Sequence, residues 1–202
     1  MGVDKPLSVE RQLEIVTQQI IRAKIFYDIW WLYVGSESRP QIIETLDNFS
    51  EFFRFDEHAH FVSMIVHCAV VWDKRRDAVS LPSVAKSILD PRRNGDQKVL
   101  LDKIESYRPV AERLRTIRDK AIAHRSIELD YADAFKKAGV IPDCISTALH
   151  NWLDAVNALR TEKGMNTAVF AELPLEHARE LIYALGGPNL KPENSLDYLF
   201  KK

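Results

Sequence analysis

The chain has 202 residues, of which 46% are apolar, 28% charged and 9% aromatic, with 7 glycines and a formal charge of −1. That size and composition describe one globular domain and exclude general disorder, which pairs few apolar residues with a high net charge. Near-neutrality also excludes a chain-wide basic field, so any contact with nucleic acid has to be local.

In chain order the apolar period is helical almost throughout. Leu13, Val16, Ile20, Ala23, Tyr27, Trp30 and Val34 recur at alternating steps of three and four, one stripe of a long helix that Ser8 caps and Gly35 stops. After the break at Gly35 to Pro40, Ile42, Ile43, Leu46, Phe49, Phe52 and Phe53 predict a second helix. Asp56 to about Val79 predicts a third, with Phe61, Ile65, Cys68 and Trp72 inward. Ser80-Leu81-Pro82-Ser83 caps a short helix that ends at Asp90-Pro91, and Arg92-Arg93-Asn94-Gly95 is a turn. Asp96 to about Ser126 reads as helix, kinked by Pro109 or with its second half opened by it. A short helix follows from Tyr131 to Ala138 and stops at Gly139. Pro142 then opens a helix to about Thr161 with the stripe Ile145, Leu149, Trp152, Val156 and Leu159. A last helix follows Pro174 and ends at Gly186-Gly187-Pro188. No strand pattern and no solenoid repeat competes. The expectation is an all-α bundle, one domain over residues 1–187 with a loosely held tail over 188–202. Its core is expected from the first and third helices and those over 96–126 and 142–161.

Cys68 and Cys144 are the only cysteines, too few for a disulfide framework and not paired as zinc ligands, which points to a reducing cytoplasm. The N-terminus lacks the charged-then-apolar pattern of a signal sequence. The most apolar stretch, Phe61 to Trp72, is short and interrupted by Ser63 and His67, so neither export nor a membrane span is expected.

The segment from Arg108 to Arg125 is the most unusual. It holds six basic residues (Arg108, Arg113, Arg115, Arg118, Lys120, Arg125) against Glu112 and Asp119, a local +4, which leaves −5 on the rest of the chain. A basic cluster on an otherwise acidic protein suits a phosphate-binding groove. Leu114, Ile117, Ala121 and His124 share one stripe, so His124 continues a buried face. On an ideal α-helix Arg118 and His124 stand roughly 9 Å apart along the axis and more than a right angle apart around it. A bend or a second copy of the helix is then needed for both to reach one phosphate. Periodicity alone favours a core histidine and solvated arginines.

Arg118-Asp119-Lys120-Ala121-Ile122-Ala123-His124 resembles the signature of the HEPN superfamily: Arg, a polar residue, then His, with five residues here between Arg and His. Val71-Trp72-Asp73-Lys74-Arg75-Arg76-Asp77-Ala78-Val79-Ser80-Leu81-Pro82 is similar to the segment preceding the motif in the abortive-infection, AbiU-like branch. The resemblance covers roughly residues 10 to 160. It implies a HEPN-like helical bundle with additional short helices that pairs as a homodimer across a cleft. It also implies metal-independent RNA cleavage in phage defence or as a toxin, with no cofactor and with an antitoxin as a candidate partner. Within it, His124 takes the 2′-hydroxyl proton or protonates the leaving oxygen, Arg118 holds the scissile phosphate, and Asp119 orients one or the other. Arg115, Lys120 and Arg125 are the matching RNA-phosphate contacts. In HEPN toxins silenced by a nucleotidyltransferase a Tyr follows the motif His by two residues; Ser126 stands there, so that mode of silencing is not expected.

Other candidates read as structure. His58 and His60, two apart on a helix, diverge too far to share a metal ion. His67, Cys68, Cys144 and His150 are expected in structural positions, Trp30 in the core and Trp31 at its edge. Arg75-Arg76 and Arg92-Arg93 either extend a basic groove or are exposed charge. Besides the ribonuclease, a non-catalytic HEPN module binding RNA, a nucleotide or a protein, and a purely structural bundle, fit the same motif helix.

Overall fold

In the computed structural model, which describes residues 7–75, 77–92, 94–123 and 131–186, every regular element among those residues is helical. Helix α1 (Val9–Val34) starts where Ser8 caps it: the Arg11 amide donates to Ser8 Oγ at 3.2 Å and the Gln12 amide to the Ser8 carbonyl at 3.0 Å. Helices α2 (Arg39–Asn48) and α3 (Ser50–Val71) meet at Phe49, earlier than expected. Phe52 and Phe53 therefore belong to α3, where Phe53 is buried while Phe49 and Phe52 are exposed. Helix α3 also ends sooner than the expected Val79. The Trp72 and Asp73 amides turn back to the Ala69 and Val70 carbonyls, three residues away, at 3.3 and 3.1 Å.

Helix α4 (Leu81–Ile88) is opened by Ser80, whose amide donates to Ser83 Oγ at 3.0 Å. Helix α5 (Gly95–Ser106) is capped by Asn94, whose side-chain oxygen accepts from the Asp96 amide at 2.9 Å. Pro109 lies in the first turn of a separate helix, α6 (Arg108–Ile117), so it opens the second half of the expected long helix. From Arg118 to Ala123 the chain forms a π turn. Helices α7 (Tyr131–Ala138), α8 (Pro142–Glu162) and α9 (Leu173–Ala184) follow, α7 ending at Gly139 with φ 62°.

By packing, the described residues fall into two compact units. The first comprises 7–23 and Ile65–Val169. Its centre is α8, where Ile145, Leu149, Trp152, Val156 and Leu159 are all buried, as the stripe predicts. Leu13, Val16 and Ile20 of α1, Ile65 and Cys68 of α3, Leu114 and Ile117 of α6 are buried in the same unit. The short helix α4 packs on α5 and α8 and adds Leu81, Val84 and Ala85 to the core. Each large apolar side chain buried here contributes roughly 1.5–3 kcal/mol. Arg160 of α8 is buried with its charge satisfied: Nη1 donates to the Glu14 carboxylate at 3.0 Å and Nε to the Asn166 carbonyl at 2.6 Å. Burial pushes the Cys68 thiol up to about 12, which makes it a core side chain and not a nucleophile. His150, by contrast, is exposed, its Nδ1 2.8 Å from the Ser146 carbonyl.

His67 is half-buried, with Nδ1 2.5 Å from Gln19 Oε1. Burial, and then the nearby Arg22 charge, hold its pKa below the ordinary histidine value. The unfolded chain therefore binds the proton more readily as pH falls through about 6.5, and the folded state loses stability on acidification. Thermal melts between pH 7.5 and pH 5.5 are expected to show this loss, and His67→Gln to reduce it. An unchanged slope in the variant contradicts the assignment.

The second unit comprises Lys24–Met64 and 170–186. Leu32, Tyr33, Ile42, Leu46, Phe53 and Ile182 form its core. The Tyr33 hydroxyl donates to the Asp56 carboxylate at 2.7 Å, and burial with that carboxylate beside it pushes the hydroxyl well above its usual range. Trp30 is buried, Trp31 half-buried. Gly35 is required by space: a Cβ there would lie 2.6 Å from the Trp31 carbonyl oxygen and 3.0 Å from its ring carbon Cε2. Gly35→Ala is expected to cost roughly 1–3 kcal/mol by overpacking. A melt identical to wild type contradicts that close approach.

Candidate functional site

The described basic residues of the segment from Arg108 to Arg125 do not form one patch. Arg108 pairs with Glu105 and lies over the Trp72 ring, 5.7 Å from its centroid. Arg113 reaches away to donate to the Gly139 carbonyl at 3.2 Å. Lys120 is exposed. His124 and Arg125 lie outside the described residues. Arg115 and Arg118 remain, and they share Asp119: Arg118 Nε and Nη2 donate to its Oδ1 at 2.8 and 2.5 Å, and Arg115 Nε lies 3.5 Å from its Oδ2.

The local backbone accounts for this triad. Arg115 and Asp119 are four residues apart across the end of α6, the spacing at which helical side chains meet. Arg118 is the first residue of the π turn and sits next to Asp119 in sequence. Such turns are rare and concentrate at functional sites. π hydrogen bonding changes the angular step per residue over Arg118 to Ala123.

Arg115 and Arg118 line an open cleft of about 580 Å³. Asp73, Lys74 and Arg75, which follow α3, line it as well, together with half-buried Val70 and buried Ala69 of α3. Lys74 Nζ donates to Glu112 at 2.7 Å. Asp73 accepts from the Arg75 amide at 2.9 Å and from Arg75 Nε at 3.1 Å. Burial works against the Asp73 charge, but the Arg75 amide and guanidinium and the more distant Arg118 outweigh it, so its carboxyl titrates below the ordinary aspartate range. The hydrogen bond from Lys74, and its charge, likewise hold the Glu112 carboxyl low.

Four cations thus converge on one cleft, each steadied by a carboxylate in or beside it. The arrangement can hold a polyanion through guanidinium forks and one ammonium. Arg75 stands where a basic groove extended by Arg75-Arg76 would place it. Asp73 and Lys74 are site residues that the motif alone does not reveal; their signal is their place in the segment before it. Arg92 is exposed and does not line the cleft. Arg76 and Arg93 lie outside the described residues. Among the described residues no group of three or more His, Cys, Asp or Glu is placed to hold a metal ion. His60 instead engages its own helix, Nδ1 lying 2.8 Å from the Asp56 carbonyl.

An all-helical chain with this Arg-Asp pair on a turn ahead of a histidine defines a class. A model of the HEPN_AbiU2 family, described as AbiU2, matches residues 7–180, and the chain belongs to that family, a HEPN module of abortive-infection type. No curated protein and no solved structure matches it significantly. Among the described residues no helix is long and apolar enough to cross a membrane.

Proposed function

We propose that the chain is a metal-independent endoribonuclease acting in abortive infection or as a toxin, with RNA as its substrate. The observation that supports this reading is the cleft: Arg118 of the family motif, oriented by Asp119, faces it together with Arg115, Lys74 and Arg75. In the reaction the ribose 2′-oxygen attacks phosphorus, the bond to the 5′-oxygen breaks, and a 2′,3′-cyclic phosphate and a 5′-hydroxyl result. One proton leaves the 2′-hydroxyl and one arrives on the 5′-oxygen. His124, whose type titrates near neutrality, serves one of these transfers. Arg118 holds the phosphate and offsets the charge that builds on its oxygens in the transition state.

Arg115, Lys120 and Arg125 contact neighbouring phosphates in this reading. A second copy of the chain brings a second motif turn to the cleft, and a cytoplasmic antitoxin restrains the pair. Expression in a bacterial host tests the function: wild type is expected to arrest growth and leave cleaved RNA, and Arg118→Ala to do neither. RNA binding without cleavage by the wild type would leave a non-catalytic module instead.

A further inference from the structure

The cations that line the cleft come from two segments, and the family motif accounts for only one. We infer that Lys74 and Arg75, positioned by Asp73, form a second phosphate subsite in the cleft that Arg115 and Arg118 line. The substrate is then a single strand held over at least two consecutive phosphates, not a terminal phosphate or a mononucleotide. This rests on the proposed ribonuclease reading and specifies its substrate.

Three features carry the inference. A single phosphate group leaves most of a cleft of about 580 Å³ empty, whereas one nucleotide with its two flanking phosphates is of the size that such cavities commonly hold. Among the charged lining residues stands half-buried Val70, which offers a ribose or base an apolar contact without charge. The cations of the segment after α3 are also accessible and easily released. The Lys74 side chain is 52% exposed and that of Arg75 73%, and exposed pairs such as Lys74 with Glu112 hold by little, so a phosphate can replace the carboxylate. Asp73, only 14% exposed, stays under Arg75 and fixes the direction of its guanidinium.

The test is the salt dependence of binding of a labelled single-stranded oligoribonucleotide to the full chain, measured beside cleavage. The Lys74→Ala/Arg75→Ala double variant is expected to bind about tenfold more weakly at about 0.1 M salt. Its slope of log affinity against log salt should be shallower by about 0.7 for each phosphate the variant no longer neutralises. Arg92→Ala, outside the cleft, should match wild type. Cleavage of a dinucleoside monophosphate, which has one phosphate, should fall much less in the double variant than cleavage of the oligonucleotide. Asp73→Asn removes a negative charge and would strengthen binding if Asp73 were a bystander. As a positioning residue it is expected to weaken binding several-fold, with recovery in Asp73→Glu.

A wild-type slope in the double variant overturns the subsite and leaves the ribonuclease reading standing. Equal losses for the oligonucleotide and for a nucleoside triphosphate overturn the strand in favour of a nucleotide. A wild type that neither binds nor cuts RNA refutes the functional reading itself and the subsite with it.

Discussion

His124→Ala is expected to lower RNA cleavage by about 10²–10⁴ while leaving RNA binding within a few-fold of wild type. In the proposed reaction the histidine carries a proton, so its removal falls on the chemical step. Arg118→Ala should reduce both, because in the proposed reaction the same guanidinium binds the phosphate and stabilises its transition state. Arg118→Lys separates the two roles. A lysine restores the charge but not the planar fork that Asp119 now grips through Nε and Nη2, so binding should recover more than rate. Asp119→Asn should lower the rate with less effect on binding, since it releases Arg115 and Arg118 from one shared carboxylate without removing either cation. These rates are read from single-turnover cleavage of a labelled RNA. Wild-type activity in His124→Ala would remove the histidine from the reaction.

Trp152→Ala carries the largest expected effect on stability. Trp152 is fully buried at the centre of α8, with its ring 6.1 Å from that of Trp72, and emptying such a site costs roughly 3–5 kcal/mol. For a chain of this length that corresponds to a fall in melting temperature of roughly 6–20 °C. The indole N–H of Trp152 has no hydrogen-bond partner among the described residues, so its burial rests on packing alone. Trp152→Phe, which keeps an aromatic ring and removes that unpaired donor, should therefore cost well under half as much. A melt for Trp152→Ala within a few degrees of wild type would contradict its place in the core.

The stripes of α1 and α8 were legible because strict three-and-four spacing has one interpretation in an all-helical chain, and Leu13 through Trp30 and Ile145 through Leu159 are buried accordingly. The boundary between α2 and α3 was not. Phe49, Phe52 and Phe53 continue an apolar spacing across a break that no glycine or proline marks, and period alone places them on one helix. The π turn was hidden for a related reason: sequence periodicity presupposes an α-helical step, and Arg118 to Ala123 departs from it. At the site, Arg115, Arg118 and Asp119 could be grouped in advance because they lie within one helical turn or so of each other. The meeting of Lys74 with Glu112, and of Asp73 and Arg75 with Arg118 at the cleft, is tertiary. No local rule announces it, and it redistributes the +4 of the motif segment: Arg108 and Arg113 turn elsewhere, and the cleft recovers its charge from the residues that follow α3.

The chemistry of the RNA ends discriminates the proposed ribonuclease from every metal-dependent alternative. Purified chain is incubated with a defined single-stranded RNA in excess chelator, and the new termini are identified by mass spectrometry. The Arg118 and His124 chemistry predicts undiminished cleavage with 2′,3′-cyclic phosphate and 5′-hydroxyl ends. Cleavage abolished by chelation, or ends bearing a 5′-phosphate, would contradict it.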